Sequence, residues 1–481
     1  MAQTLTSSQQ QITTSRRTFS PIVLAITLTL IGAGSFSLYH WARDLHRFIQ
    51  GISGYTALFI GQLAIYLLAC FFATRKLTPT TRNLNLLLAS IVLIFAAMFR
   101  FDLVAQKPYL STDVYRYVWD GRVQAAGINP YLYAPSAPEL AALRDDKIYP
   151  FINRSDFVRT PYPPVAQMIF FAAYKIEASN VTGFKTLMAI FDLLAILALM
   201  LTLMRAKLSP VLAIIFAWHP LLIYEGAHTG HIDSGFIVFL ALAMLAWSYQ
   251  KPALTGIAIA LATMVKFYPA LLLPAFFYAQ FSSSTIPLAK ASLIKKLNVA
   301  LLNKANLKML TAFVVTVILV YLPYLNVGVK AFGSLSNEAS EEGFIGNGSR
   351  YFLLVLVRKI MPLPTAIFLI IAAALLIWLV IKIALTNKRD VMDVVRAAVS
   401  LIGLYFFLVT PRYAWYYAWI LPFLCFAPRV SWLYLTGASV LLYCLWFTPL
   451  FYPGVPIWLG LAVYAPTFGF WLWEKWQAKN A

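Results

Sequence analysis

Between positions 111 and 122 the chain reads Ser-Thr-Asp-Val-Tyr-Arg-Tyr-Val-Trp-Asp-Gly-Arg, its densest polar stretch outside the basic segments. Asp113, Arg116, Tyr117 and Asp120 fall at i, i+3, i+4 and i+7, so a helix would carry them on one face. Thr112 stands where an N-cap belongs, and Gly127-Ile-Asn-Pro-Tyr131 breaks the helix. A carboxylate on such a face can take a proton from a hydroxyl. A guanidinium such as Arg116 or Arg122 can grip a phosphate in two-pronged fashion. The aromatic side chains can cover the apolar faces of sugar rings. The plainer alternative is an amphipathic interfacial helix with its charges in water.

Three other places have suitable residue types. Glu225, His228, His231 and Asp233 cluster within nine positions, where they suit acceptor or phosphate contacts or simple capping of a turn. A divalent cation is conceivable there, but the spacing matches no strong ligand motif, so no metal or other cofactor is expected. Lys266 lies inside an apolar run, where a charge is costly and marks a functional position unless it snorkels to the interface. Arg412 stands alone among Tyr and Trp residues and is a further phosphate candidate, although an ordinary aromatic belt accounts for its neighbours. Asp192, also within an apolar run, is expected to pair with a basic neighbour inside the bundle.

The elements that must position these groups are membrane helices. Of 481 residues, 61% are hydrophobic and 12% charged, with mean hydropathy +0.74. A soluble chain would carry about 25% charged residues. Soluble enzymes, disordered chains and coiled coils are thereby excluded, leaving an all-α, polytopic transmembrane bundle. Apolar runs of spanning length, at about 20 residues per crossing, give about fourteen membrane segments. The run 252–281 is interrupted by Lys266 and Pro269 and reads as two short helices meeting near Lys266. No repeat and no linker divides the chain, so residues 1–481 are read as one unit.

The net charge of +20 does not indicate nucleic acid, because the basic residues gather in short segments between apolar runs. Arg16 and Arg17, Arg75, Lys76 and Arg82, Arg205 and Lys207, Lys251, Lys382, Lys388 and Arg389, Arg429, and Lys475 and Lys479 fall on one side. The segment 282–308, with five lysines and no acid, marks that side most clearly and is expected to be a basic cytoplasmic loop. Both termini are then cytoplasmic, and Trp471, Trp473 and Trp476 belt the last boundary. The opposite side receives 102–185, too long for a mere connector, with the 225–234 turn and the turn around Arg412. It also receives the 326–361 loop, whose Glu338, Glu341, Glu342 and Gly343 read as solvated surface. Cys70, Cys425 and Cys444 lie in apolar runs and form neither a disulfide framework nor a metal motif.

The sequence 113–123, with Gly127–Tyr131 and then Tyr162-Pro163-Pro164, resembles the first outer loop of GT-C-type membrane glycosyltransferases. The similarity is to bacterial and archaeal mannosyltransferase-like members that use polyprenyl-phosphate sugars. Glu225–Asp233 resembles that family's second outer loop, and Lys266-Phe-Tyr-Pro269 its broken-helix region. The resemblance covers roughly 102–275, and two extra helices precede the one feeding the first loop. It implies a GT-C-like core, a multi-pass protein of the bacterial plasma membrane, and 102–185 as a catalytic outer loop. It further implies inverting transfer of a hexose, mannose above all, from a polyprenyl-phosphate donor to a glycan or lipid acceptor. Asp113 matches the acid that activates the acceptor hydroxyl, with Asp120 second. Arg116, Tyr117, Arg122, His228, His231, Asp233, Lys266 and Arg412 are then the candidate substrate contacts. A lipid or glycan flippase without transferase activity is the competing expectation, although such proteins usually carry their ionisable groups at mid-membrane and show repeat symmetry.

Overall fold

The structure is a computed structural model describing residues 20–43, 51–75, 81–278, 292–333, 344, 346–447 and 454–480. Arg16, Arg17, Lys76, Lys290, Glu338, Glu341, Glu342 and Gly343 lie outside these residues. The described residues are helical and contain no strand. Lipid leaves a chain few other options, since each backbone N–H and C=O must be satisfied within its own segment.

Seven helices are long and apolar enough to cross a membrane. They are Pro21–Ala42 (α1), Ile52–Ala73 (α2), Arg82–Leu103 (α3), Val181–Arg205 (α6), Lys304–Phe332, Thr365–Ala384 and Val391–Val409. An eighth is added if Pro210–Ala217 and Pro220–Thr229, bent by 56° at their junction, count as one span. About fourteen segments were expected, and the difference has a local cause. The runs 413–428 and 431–449 are of spanning hydropathy, yet their described residues form short 3-10 and α pieces such as Ala414–Ile420, Leu421–Leu424 and Val430–Ala438. Hydropathy does not register where a helix breaks. The run 252–281 does divide as anticipated, into Pro252–Thr263 and Tyr268–Phe276 with Lys266 between. Part of the basic segment is helical too, at Leu293–Leu302.

The packing order builds a platform. α1 lies along α2 and α3, and α6 lies along Asp233–Ser248. That helix packs on Pro252–Thr263, which packs in turn on Lys304–Tyr321. Beyond these spans, the 102–185 segment folds into Asp113–Ala125 (α4), two 3-10 turns and Pro164–Ile176 (α5). α4 is not an interfacial helix lying in water. Residues Arg116–Val123 are all buried, because α5, α6 and the 3-10 turns cover both of its faces. Gly121 permits the closest approach: a Cβ there would stand 2.4 Å from the Phe170 carbonyl oxygen of α5.

Candidate active site

α4 starts at Asp113. Thr112 occupies the N-cap position without a side-chain cap bond, and the Ser111 hydroxyl accepts the Asp113 N–H instead, at 3.2 Å. The helix stops at Ala125, and Gly127 turns the chain with φ +77°. Asp113 is half-buried, its side chain 23% exposed. Its Oδ1 accepts from Asn153 at 3.0 Å, and its Oδ2 lies 3.7 Å from His231 Nε2.

His231 is held from three sides. Its ring stacks on Trp415 with centroids 3.9 Å apart, and its Nδ1 lies 2.8 Å from Glu225 Oε2. Its backbone N–H donates to the Glu225 carbonyl at 2.8 Å. The other Glu225 oxygen accepts from the Tyr443 hydroxyl. The imidazole therefore lies between two carboxylates, and Nε2, the atom facing Asp113, is buried without a hydrogen-bond partner. This geometry depends on a π-helical turn, Ile223–Thr229, closed by Gly230 in the left-handed region at φ +81°. π turns recur at functional sites because they re-aim side chains at the expense of regular bonding. Gly230 is also confined, since a Cβ would meet Lys185 Cγ at 2.8 Å and Val114 Cγ2 at 3.0 Å.

A second cluster lies against the same wall. Asp233 accepts from Lys266 Nζ and from Trp419 Nε1, both at 2.7 Å. Lys266 also stands 5.0 Å from the Tyr416 ring centroid, a cation–π contact. Its position is set from α5, whose Val165 and Ala166 N–H groups both donate to the Met264 carbonyl. The Ala414–Ile420 turn joins the two clusters, since Trp415 touches His231 while Tyr416 and Trp419 flank Lys266. Arg412, half-buried, comes just before that turn, next to Tyr413, whose ring stacks on Trp415 at 4.5 Å. Asp113, the 225–233 segment, Lys266 and the chain around Arg412 thus come together in space.

The remaining candidates are arranged differently. Arg116 and Asp120 form a buried ion pair at 2.8 Å. Arg116 also donates to the Val158 carbonyl, and Asp120 accepts from Gln167, so both tie α4 to residues 158–167. Arg122 faces a different loop, where it donates to Asp145, the Leu143 carbonyl and Ser179. Burial opposes ionisation of Asp145, yet the Arg122 guanidinium and the Ile148 and Tyr149 N–H groups hold its carboxyl below the usual range. Tyr117 is wholly enclosed, stacked on Phe170 at 4.7 Å, and burial pushes its phenol well above the ordinary value. His228 lines a cavity together with Tyr55 and Tyr224. Asp192 pairs, as expected, with a basic neighbour, Arg100, at 2.8 Å and with neither side chain exposed.

Asn153, Tyr443 and the stacking role of Trp415 were not foreseen from the sequence. Asn153 carries no signal beyond an Asn-x-Ser triplet, and Tyr443 meets Glu225 across 218 residues of chain. Among the described residues no group of three His, Cys, Asp or Glu side chains is placed to hold a metal ion.

Comparison with known families bears on this arrangement. Residues 21–282 match the family described as Alpha-(1->6)-mannopyranosyltransferase, N-terminal domain, and residues 160–411 match Glycosyltransferase family 87. No curated protein and no solved structure gives a match. Both matched families are transferases, which sets the flippase alternative aside.

Proposed function

The chain belongs to a GT-C-type family of membrane mannosyltransferases, and on that premise we propose that Asp113 is the general base of an inverting hexosyl transfer from a polyprenyl-phosphate donor. The lysine-rich segments support placing the reaction on the outer face, with both termini cytoplasmic. In the proposed step the acceptor hydroxyl oxygen bonds to the anomeric carbon as the carbon–oxygen bond to phosphate breaks. The bonding pair leaves with the polyprenyl phosphate, and the hydroxyl proton passes to an Asp113 oxygen. Attack opposite the leaving group inverts the centre in one step. Mannose is the sugar that the family description favours, and the acceptor is a glycan or lipid hydroxyl.

One observation carries this reading: a partly exposed carboxylate whose inner oxygen faces a buried, unpartnered imidazole nitrogen. Asn153 and His231 flank Asp113 from either oxygen, His231 being fixed by Glu225 and Trp415, and the carboxylate keeps a partly exposed edge for an acceptor. The leaving phosphate needs fixed positive charge in a water-poor site. Arg116 and Arg122 face residues 158–167 and 143–145, whereas Lys266 and Arg412 adjoin the Ala414–Ile420 turn that stacks on His231, so the proposal assigns that role to Lys266 and Arg412. Asp233 and Trp419 aim Lys266, and the aromatic row beside it suits a sugar ring. Asp120 then supports the helix and does not touch the acceptor. The test is transfer from a radiolabelled polyprenyl-phosphate mannose by Asp113→Asn. The expected loss is about 10²–10⁴-fold in rate with unchanged expression and thermal unfolding. Near-normal transfer would remove Asp113 from this role.

A further inference from the structure

At the end of α3 and α6 away from the candidate base lies a groove of about 930 Å³. That is within the ~300–1,000 Å³ usual for small-molecule sites. α3 has 22 residues, which at about 1.5 Å each put about 30 Å between Arg82 at the groove's mouth and Leu103 at the far end. Leu103 is the end next to the candidate site, since its carbonyl accepts from Lys185, the side chain that confines Gly230. The groove is therefore too remote to hold the reacting sugar.

Its two halves differ in chemistry. Leu86, Leu93, Leu201 and Met204 make an apolar trough between α3 and α6, and three of them, Leu86, Leu201 and Met204, are exposed. Arg75, Arg82 and Lys207 border one end of it, contributed by the end of α2, the start of α3 and the turn after α6. The positive-inside rule accounts for the side on which these cations fall, but not for their meeting at one groove. No Asp or Glu lines it, and residues 76–80, which join α2 to α3 and lie outside the described residues, add Lys76 and no acid. Arg75 lies over the Phe71 ring at 3.9 Å, a contact that uses the guanidinium's face and not its N–H edge. Lys207 takes φ +58°, the left-handed conformation in which a helix usually ends on glycine. The start of α3 adds its own dipole, which favours an anion. An apolar trough that ends in positive charge, with no carboxylate beside it, is complementary to an acidic amphiphile.

We infer that the groove holds a phospholipid with an acidic headgroup from the cytoplasmic leaflet, its phosphate between Arg75, Arg82 and Lys207 and an acyl chain along the trough. The site is independent of the transferase reading and shares with it only the sidedness of the membrane. A lipid bound there ties α2, α3 and α6 together.

The experiment uses the full-length protein, delipidated in neutral detergent. Binding of dioleoyl phosphatidylglycerol is followed by native mass spectrometry, and the thermal midpoint is recorded at each lipid concentration. Wild type is expected to bind this lipid about 100-fold more tightly than dioleoyl phosphatidylcholine, from about fivefold per cation, and its midpoint should rise as the site fills. Arg75→Gln, Arg82→Gln and Lys207→Gln together should erase that preference. Lys382→Gln, Lys475→Gln and Lys479→Gln together, the same loss of charge outside the groove, should keep it. Ala89→Trp fills the trough and leaves every charge, and should weaken phosphatidylglycerol by about tenfold or more. Equal affinity for the two phospholipids, an unchanged groove triple variant or an unaffected Ala89→Trp would overturn the site. Displacement by inorganic phosphate at equal concentration would overturn it as a lipid site, and tighter binding of a polyprenyl phosphate would give the groove to a different lipid. If the groove triple variant does not fold, Ala89→Trp and the comparison of phospholipids decide. Retained transfer by Asp113→Asn would sink the base assignment and leave these measurements untouched.

Discussion

Asp113 and Asp120 carry the same functional group seven positions apart on one helix, and their surroundings give them different work. Asp120 is 2% exposed and locked to Arg116. Removing one partner of such a buried pair strands the other charge, so Asp120→Asn should cost about 3–5 kcal/mol of stability, read as a lowered thermal midpoint. Asp113→Asn should leave the midpoint in place. His231→Phe can keep the stack on Trp415 while removing both nitrogens. The expected outcome in steady-state transfer is a fall in kcat larger than any change in acceptor KM, because what is lost is the orientation of Asp113. Spacing alone made α4 legible, since four polar groups at i, i+3, i+4 and i+7 are a local pattern. It did not separate Asp113 from Asp120, because that difference is made by Val158, Gln167 and His231, none of them on the helix. The Glu225–Tyr443 contact was illegible for the same reason.

At the scale of elements, one glycine decides whether α4 and α5 fit. Gly121→Ala brings a Cβ within 2.4 Å of a backbone oxygen that cannot rotate away, so α4 must lift from α5. Overpacking of this kind costs about 1–3 kcal/mol, and the variant should lose thermal stability and transfer together. The loop clamped by Arg122 adds a pH dependence. Asp145's folded-state carboxyl titrates below its unfolded value, so its contribution is fully present above the ordinary carboxylate range and lost as pH falls through the depressed value. Limited proteolysis should find the 143–149 segment resistant at neutral pH and cut only under strongly acid conditions, whereas Asp145→Asn should be cut at neutral pH. The sequence revealed which runs were apolar, and so the long spans α1, α2, α3 and α6. It concealed which runs were continuous, because the 3-10 turns Ala414–Ile420 and Ser439–Tyr443 and the π turn Ile223–Thr229 are chosen by packing contacts and not by composition.

For the whole molecule, the Arg100–Asp192 pair bolts α3 to α6 with no exposure at either end. Asp192→Asn should destabilise by about 3–5 kcal/mol, whereas replacing both partners with Met and Leu should cost much less. A double-mutant cycle on thermal unfolding measures the difference. The positive-inside arrangement supports a sidedness that single-cysteine labelling in intact cells can check: Asp156→Cys should react with an impermeant reagent and Lys251→Cys should not.

The Lys304–Phe332 span is little covered by the rest of the chain. At its end Tyr324 donates to Gln124, and Asn129 donates to Asn326. Gln124 donates to Gln167, which donates to Asp120. A relay of amides therefore runs from the helix most open to lipid into the helix that begins at Asp113. Helices of this kind tilt when the hydrocarbon layer thins or thickens. A tilt of this span would therefore reach α4 through Gln124 and Asp120, whose pairing with Arg116 anchors the helix that carries the proposed base.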